Sequence, residues 1–184
     1  VVAAAAFEAA GVRAYPAIEL GDVVHVVGTV EPRDDGIQVE AEAVEPLDGD
    51  AAEAVLADRE ERLDARASAH DVDPLIEWPA LDAHDPELAR VAATLRRAVL
   101  EHRPVVIRHH ADTDGMCAAI PLERALEQFV EETHVTDGAA DHMIKRLPSR
   151  APFYDVEDVT RDLSHALDNR ARHGQQLPLL VMID

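Results

Sequence analysis

From Val105 to Gly115 the chain reads Val-Val-Ile-Arg-His-His-Ala-Asp-Thr-Asp-Gly. The short β-branched head, Val105 to Ile107, predicts a buried strand, and Arg108, His109, His110, Asp112 and Asp114 follow it into a turn that ends in glycine. In open α/β sheets, ligands bind beyond the carboxyl ends of the strands, so polar side chains delivered there are candidates for chemistry. A second continuous apolar run, Leu179 to Ile183, is followed by Asp184, which predicts a third carboxylate at the same sheet edge. Three carboxylates with the imidazole of His110 form a hard, oxygen-rich donor set. Such a set suits Mn²⁺ or Mg²⁺ rather than a metal selected by thiolates.

The same residues admit other readings. Asp-Thr-Asp-Gly can be a plain turn, because Asp and Gly are favoured in turns for local reasons. An EF-hand would put His110, Asp112 and Asp114 at loop positions one, three and five, but position twelve is then Pro121 where Glu is required. That reading fails. An aspartyl phosphatase with Asp112 as nucleophile and Asp114 as acid stays open, although Met116 stands where Thr or Val is expected. It gives Arg108, His109 and His110 no role.

The surrounding pattern shows what positions these residues. Residues 20–44 predict a hairpin: Val24, Val26 and Val30 share one face of a strand and Val23 and Val27 the other, so it could be covered on both sides. A turn at 32–36 follows, and then Ile37, Val39, Ala41 and Ala43 alternate with polar residues. Asp50 and Glu53 form a capping-box-like start to a charged helix with a stripe of Val55, Leu56, Leu63 and Ala67. After a loop at 71–84, Asp85 and Pro86 open a helix marked by Leu88, Val91, Ala92, Leu95 and Val99, which runs to Pro104. Residues 116–133 predict a helix kinked or restarted at Pro121, and 135–154 read as loop. Val156, Val159, Leu163 and Leu167 mark a last helix closed by Gly174. Alternating helices and apolar strands predict an α/β fold with a parallel sheet. Three segments result: a β unit over 1–47, a helical linker over 48–84 and an α/β unit over 85–184.

Composition narrows the function classes. The 184 residues carry 37 Asp plus Glu against 17 Lys plus Arg, a formal charge of -20, which excludes a generic basic coat for nucleic acid. Aromatic residues are 3%, too few for a surface built chiefly of stacking rings. The stretch from Glu31 to Asp64 holds 13 carboxylates and 3 arginines and reads as solvated surface. Lys145 is the only lysine, a balance expected of a protein adapted to high salt. In molar salt the Debye length is about 3 Å, so an acidic surface no longer repels phosphate at long range. No apolar run is long enough to cross a membrane and residues 1–10 lack the basic start of a signal peptide, so a cytoplasmic protein with no membrane partner is expected. The single cysteine, Cys117, can form no internal disulfide and is expected as a small buried residue. His25, His70, His84 and His165 are scattered and read as structural or exposed. Both chain ends look cut, and a piece of a longer protein is expected.

The run His110-x-Asp112-x-Asp114-Gly115 after a strand, with a second strand ending in Asp184, resembles the first two motifs of the DHH phosphoesterase superfamily. It is most similar to the archaeal RecJ-like exonuclease branch, whose members often place an OB-fold before the catalytic domain. Residues 145–154 (Lys-Arg-Leu-Pro-Ser-Arg-Ala-Pro-Phe-Tyr) and 158–163 also look typical of that branch. The resemblance covers 104–184 well and 12–47 more loosely.

It implies a partial DHH-type catalytic domain preceded by a partial OB-fold and a connecting helix. Asp112, Asp114 and Asp184 would hold Mn²⁺ or Mg²⁺, with two ions in the full-length protein, and His110 would be a further ligand or support one. Arg108, His109, Lys145, Arg146 and Arg150 are expected to contact substrate phosphates or brace the site. The implied substrate is single-stranded DNA or RNA, and the implied setting is replication or repair with replication-complex proteins as further partners. The Asp-His-His motif that names the superfamily is absent from these residues, so this segment alone is expected to be inactive. Two alternatives are a nucleic-acid-binding scaffold with an inactive site and a phosphoesterase for small oligonucleotides or cyclic dinucleotides.

Overall fold

The computed structural model describes residues 2–7, 15–19, 21–33, 36–68, 76–134 and 137–183. The chain divides into two compact units, Val1–Arg62 and Leu63–Asp184. The first holds strands β1 (Ala3–Ala5), β2 (Val24–Arg33) and β3 (Gly36–Pro46) in the order β1-β3-β2. Helix α1 (Gly49–Ala67) begins in this unit, and the division falls inside it.

The expected hairpin is β2 against β3, antiparallel from Val24 opposite Pro46 to Arg33 opposite Gly36. Its register shifts between Val27 and Gly28, where a Cβ on Gly28 would sit 2.0 Å from the Glu40 carbonyl oxygen. The two backbones approach there more closely than any side chain allows. β1, which the alanine-rich start of the sequence did not signal, pairs in parallel with β3. Cover on both faces of β2 is not found: Val27 and Val30 are exposed. A complete OB barrel needs five strands. Three are present among the described residues.

The second unit runs α2 (Pro79–Asp82), α3 (Asp85–Leu100), β4 (Val105–His110), α4 (Thr113–Thr133), α5 (Ala139–Met143), β5 (Ile144–Ser149), α6 (Val156–His173) and β6 (Leu179–Ile183). Its three strands are all parallel in the order β5-β4-β6, so β4 is paired along both edges. Side-chain alternation splits the sheet into two faces. Val105 and Ile107 face α3 and α4 and close a core with Leu95, Val99, Leu126 and Val130. Each fully buried side chain of this kind is worth about 1.5–3 kcal/mol. Val106, Arg108 and His110 belong to the other face, toward α6.

Three expectations are corrected. Residues 139–149 are not loop but α5 and β5. Helix α4 starts at Thr113 and runs through Pro121 without restarting. Proline removes the hydrogen bond to the carbonyl four residues earlier, that of Cys117. Cys117 is itself exposed rather than buried, so water can donate to the freed carbonyl in place of the missing N–H. The last helix forms where expected, as α6 closed by Gly174, and it presents Asp158 and Asp162 to the sheet while its apolar stripe of Val156, Leu163 and Leu167 is exposed, Val156 to 81%. The buried Arg108 of β4 dictates that orientation, because a charge beneath a helix must meet carboxylates. Among the described residues, no helix is long and apolar enough to cross a membrane.

Candidate active site at the carboxyl edge of the parallel sheet

β4 ends at His110, and Asp112 caps the helix that follows. The Asp112 backbone is extended and its Oδ1 accepts the Gly115 N–H at 3.1 Å, satisfying one of the donors that the first turn of a helix leaves unpaired. Its Oδ2 takes the Nδ1–H of His110 at 2.6 Å, which leaves Nε2 of that ring free of this contact. The Gly115 hydrogen bond above all, then the His110 hydrogen bond and the neighbouring Asp114, hold the Asp112 carboxyl below its usual range against a smaller opposing effect of desolvation. Gly115 is required by geometry: a Cβ there would lie 2.4 Å from the His110 carbonyl oxygen. The first turn of α4 thereby presses directly on the end of β4, and Asp114 stands exposed on that turn.

Beneath this turn, Arg108 is 4% exposed. Its Nε donates to Asp162 Oδ2 at 2.8 Å, a second nitrogen pairs with Asp162 Oδ1, and a third lies 3.2 Å from Asp158 Oδ1. The Tyr154 hydroxyl donates to Asp162 Oδ2 at 2.9 Å, with the Arg108 guanidinium 5.8 Å from its ring centre. Burial and the Asp162 hydrogen bond push the Tyr154 phenol up to about 12. Burial alone would raise the Asp162 carboxyl, but the Arg108 and Tyr154 hydrogen bonds outweigh it and hold it below its usual range. Arg108 therefore ties β4 to α6 and to the loop after β5, with its guanidinium occupied inside the fold.

His109 lies on the opposite face and is 2% exposed. Its Nδ1 bonds the His110 carbonyl at 2.6 Å, and Nε2 faces an Arg146 nitrogen at 3.3 Å. An arginine can only donate, so Nε2 accepts and the ring is the neutral tautomer with its proton on Nδ1. Arg146 in turn donates to Glu123 Oε2 at 2.6 Å. This Glu123–Arg146–His109 chain fixes the backbone of His110. Asp158, Asp162, Tyr154 and Glu123 were not foreseen as site residues. The available signal was the buried Arg108 and the charged β5, each of which needs acidic partners.

Of the other expected contacts, Arg150 is exposed just after β5, and no hydrogen bond or ion pair engages it among the described residues. Lys145 pairs with Val106 near the start of β5 and bonds the Asp141 carbonyl. Four residues of strand, about 13 Å, separate it from Ser149 at the carboxyl edge. The structure thus joins His110 to Asp112, sets Asp114 exposed on the next turn and keeps Lys145 apart. A cleft of about 210 Å³ opens at this edge, lined among others by His110, Ser149, Pro152, Phe153 and Met182. β6 runs parallel to β4 and places Ile183 opposite His109, while Asp184 lies outside the described residues.

The donor chemistry at this edge fits a hard divalent ion. Each Asp112 oxygen keeps a lone pair beyond its present hydrogen bond, and Asp114 is open to solvent. Among the described residues alone, no three His, Cys, Asp or Glu side chains come close enough to share one ion.

No protein-family model matches the chain. An uncharacterized protein of Methanocaldococcus jannaschii is 44% identical over 181 residues, which is 98% of this chain and 24% of that protein. The chain thus spans about a quarter of the relative's length. Among solved structures, a chain described as the DHH domain of a member of a family of ribosomal proteins matches with a TM-score of 0.69 at 42% identity. The match covers 72% of this chain and 30% of that one. The protein is therefore a mixed α/β chain with part of a DHH-type fold.

Proposed function

We propose that this chain is part of a Mn²⁺- or Mg²⁺-dependent phosphodiesterase that removes nucleotides from single-stranded DNA or RNA. A DHH-type fold is that of a phosphoesterase-type superfamily. The observation that carries the reading is the turn itself, where His110 at the end of β4 is hydrogen-bonded to Asp112 and Asp114 follows on the first turn of α4. Asp112 and Asp114, with Asp184 from the neighbouring strand, would hold the metal, as two ions in the longer protein. A bound ion of this kind supplies a water acidified toward neutral pH and offsets charge on the attacked phosphate.

The chain's own residues do the rest. Asp112 is held ionised by Gly115 and His110, and the positive end of α4 favours an anion at the same place. His110 is oriented from both sides, by Asp112 on its ring and by His109 on its carbonyl, and its Nε2 would serve a ligand or a phosphate oxygen. Arg150 supplies a cation for the strand backbone. Replication-complex proteins and a cytoplasmic setting belong to the same reading.

Cleavage of end-labelled single strands under Mn²⁺ tests this, using the longer protein that carries the Asp-His-His segment and this chain alone. The longer protein should degrade the strand and lose about 100-fold or more in rate with Asp114→Ala, as removal of a transition-state electrostatic group does. This chain alone should not cleave. Cleavage that survives Asp114→Ala, or needs no divalent ion, refutes the proposal.

A further inference from the structure

The loop after β5 turns two groups, Arg150 and Phe153, outward to solvent. Phe153 is 66% exposed at the rim of the cleft, and Arg150, three residues earlier, has a free guanidinium among the described residues. An exposed phenylalanine on an otherwise ring-poor chain is worth explaining only if something holds it in place. Here the loop is braced at both ends. Ser149 is buried and its carbonyl accepts the Ala111 N–H at 3.1 Å, which ties the loop to the residue between His110 and Asp112. Tyr154, next to Phe153, is anchored through its hydroxyl to Asp162 and lies beside the buried Arg108. Phe153 is thus presented outward between two fixed points.

The cleft is also mixed in chemistry. His110 and Ser149 bring polar atoms to its lining, and Ala151, Pro152, Phe153, Met182 and Ile183 bring apolar ones, while Arg108 and His109 are engaged with partners inside the fold. A nucleotide is mixed in the same way, with a charged phosphate and a flat apolar-faced base. Resting on the nucleic-acid reading above, we infer that Phe153 is the base-stacking residue of this site and that Arg150 takes the adjoining backbone phosphate. The loop 149–154 then positions the strand end, with its phosphate toward His110 and Asp112 and its base against the ring. Because every base has a π-face, this contact tolerates any sequence and selects an unpaired base over a paired one.

The test measures anisotropy of short labelled single strands with the 184-residue chain in Mn²⁺, comparing a thymidine oligomer with one whose terminal residues are abasic. Stacking is worth about 1–3 kcal/mol per base. Phe153→Ala should therefore weaken the thymidine oligomer by about 5- to 150-fold and leave the abasic oligomer unchanged, while Phe153→Trp restores tight binding. Arg150→Gln should weaken both oligomers alike and reduce the slope of log affinity against log salt by about 0.7. A 5-iodouracil placed at the strand end should photocrosslink to residue 153. Strand binding that ignores Phe153→Ala overturns this assignment and leaves the nucleic-acid reading standing. No binding of any single strand overturns both.

Discussion

Gly115→Ala sets two physical effects against each other. In an ordinary helix the change should stabilise by about 1 kcal/mol, since alanine is the better helix former. Here the new Cβ would fall 2.4 Å from the His110 carbonyl oxygen, 3.0 Å from Asp112 Oδ1 and 3.2 Å from the His110 carbonyl carbon. Backbone at the end of a doubly paired strand cannot swing aside, so α4 must lift by roughly 1 Å to restore an ordinary contact distance. Forcing such bulk into packed structure costs about 1–3 kcal/mol, and disturbing the Asp112 cap adds to that. The net expectation is destabilisation of about 1–3 kcal/mol, opposite in sign to the helix scale. Urea unfolding followed by circular dichroism reads it as a lower midpoint at unchanged slope. Mn²⁺ affinity should fall with it, because lifting the turn separates Asp112 from His110. A variant as stable as the parent, with Mn²⁺ binding intact, would refute the argument that the turn is pressed against β4.

Asp162→Asn leaves the buried Arg108 guanidinium with Asp158 alone and should destabilise by about 3 kcal/mol at pH 7, measured by urea unfolding. Since the folded Asp162 carboxyl lies below its unfolded value near 3.8, its contribution is present above that pH and lost as pH falls through the folded value. The gap between parent and variant should therefore close below pH 3.8. An ultraviolet titration should show the Tyr154 phenol ionising at about 12, and Tyr154→Phe should remove that step. With a formal charge of -20, melting temperature should rise from dilute buffer to molar KCl, as screening relieves carboxylate repulsion. A flat or falling series would count against adaptation to salt.

What could be read beforehand followed burial. β4 and β6 were legible because strands in a parallel sheet are continuous apolar runs. β5 was not, because it carries Lys145, Arg146 and even Pro148, which an edge strand tolerates and which together look like loop, whereas β6, at the other edge, is apolar throughout. Helix α6 was found from its stripe of Val156, Val159, Leu163 and Leu167, yet the stripe does not mark the face toward the sheet. Periodicity locates an apolar face but cannot anticipate a buried arginine that demands Asp158 and Asp162 beneath the helix. At the site, the turn from His110 to Gly115 was legible as a local motif, and the structure adds the hydrogen bonds of Asp112. The partners that brace it, Glu123, Tyr154 and Asp162, come from distant segments and follow only from the fold.

The most direct test of the metal site is anomalous diffraction from crystals of the chain soaked in Mn²⁺, paired with Mn²⁺ titrations of Asp112→Asn and Asp114→Asn. A manganese peak at the Asp112 and Asp114 carboxylates is expected, with affinity reduced by about tenfold or more in either variant, on the order of a lost metal-site partner. Manganese bound elsewhere, or an affinity indifferent to both substitutions, would contradict the assignment of this turn as a metal-dependent phosphoesterase site.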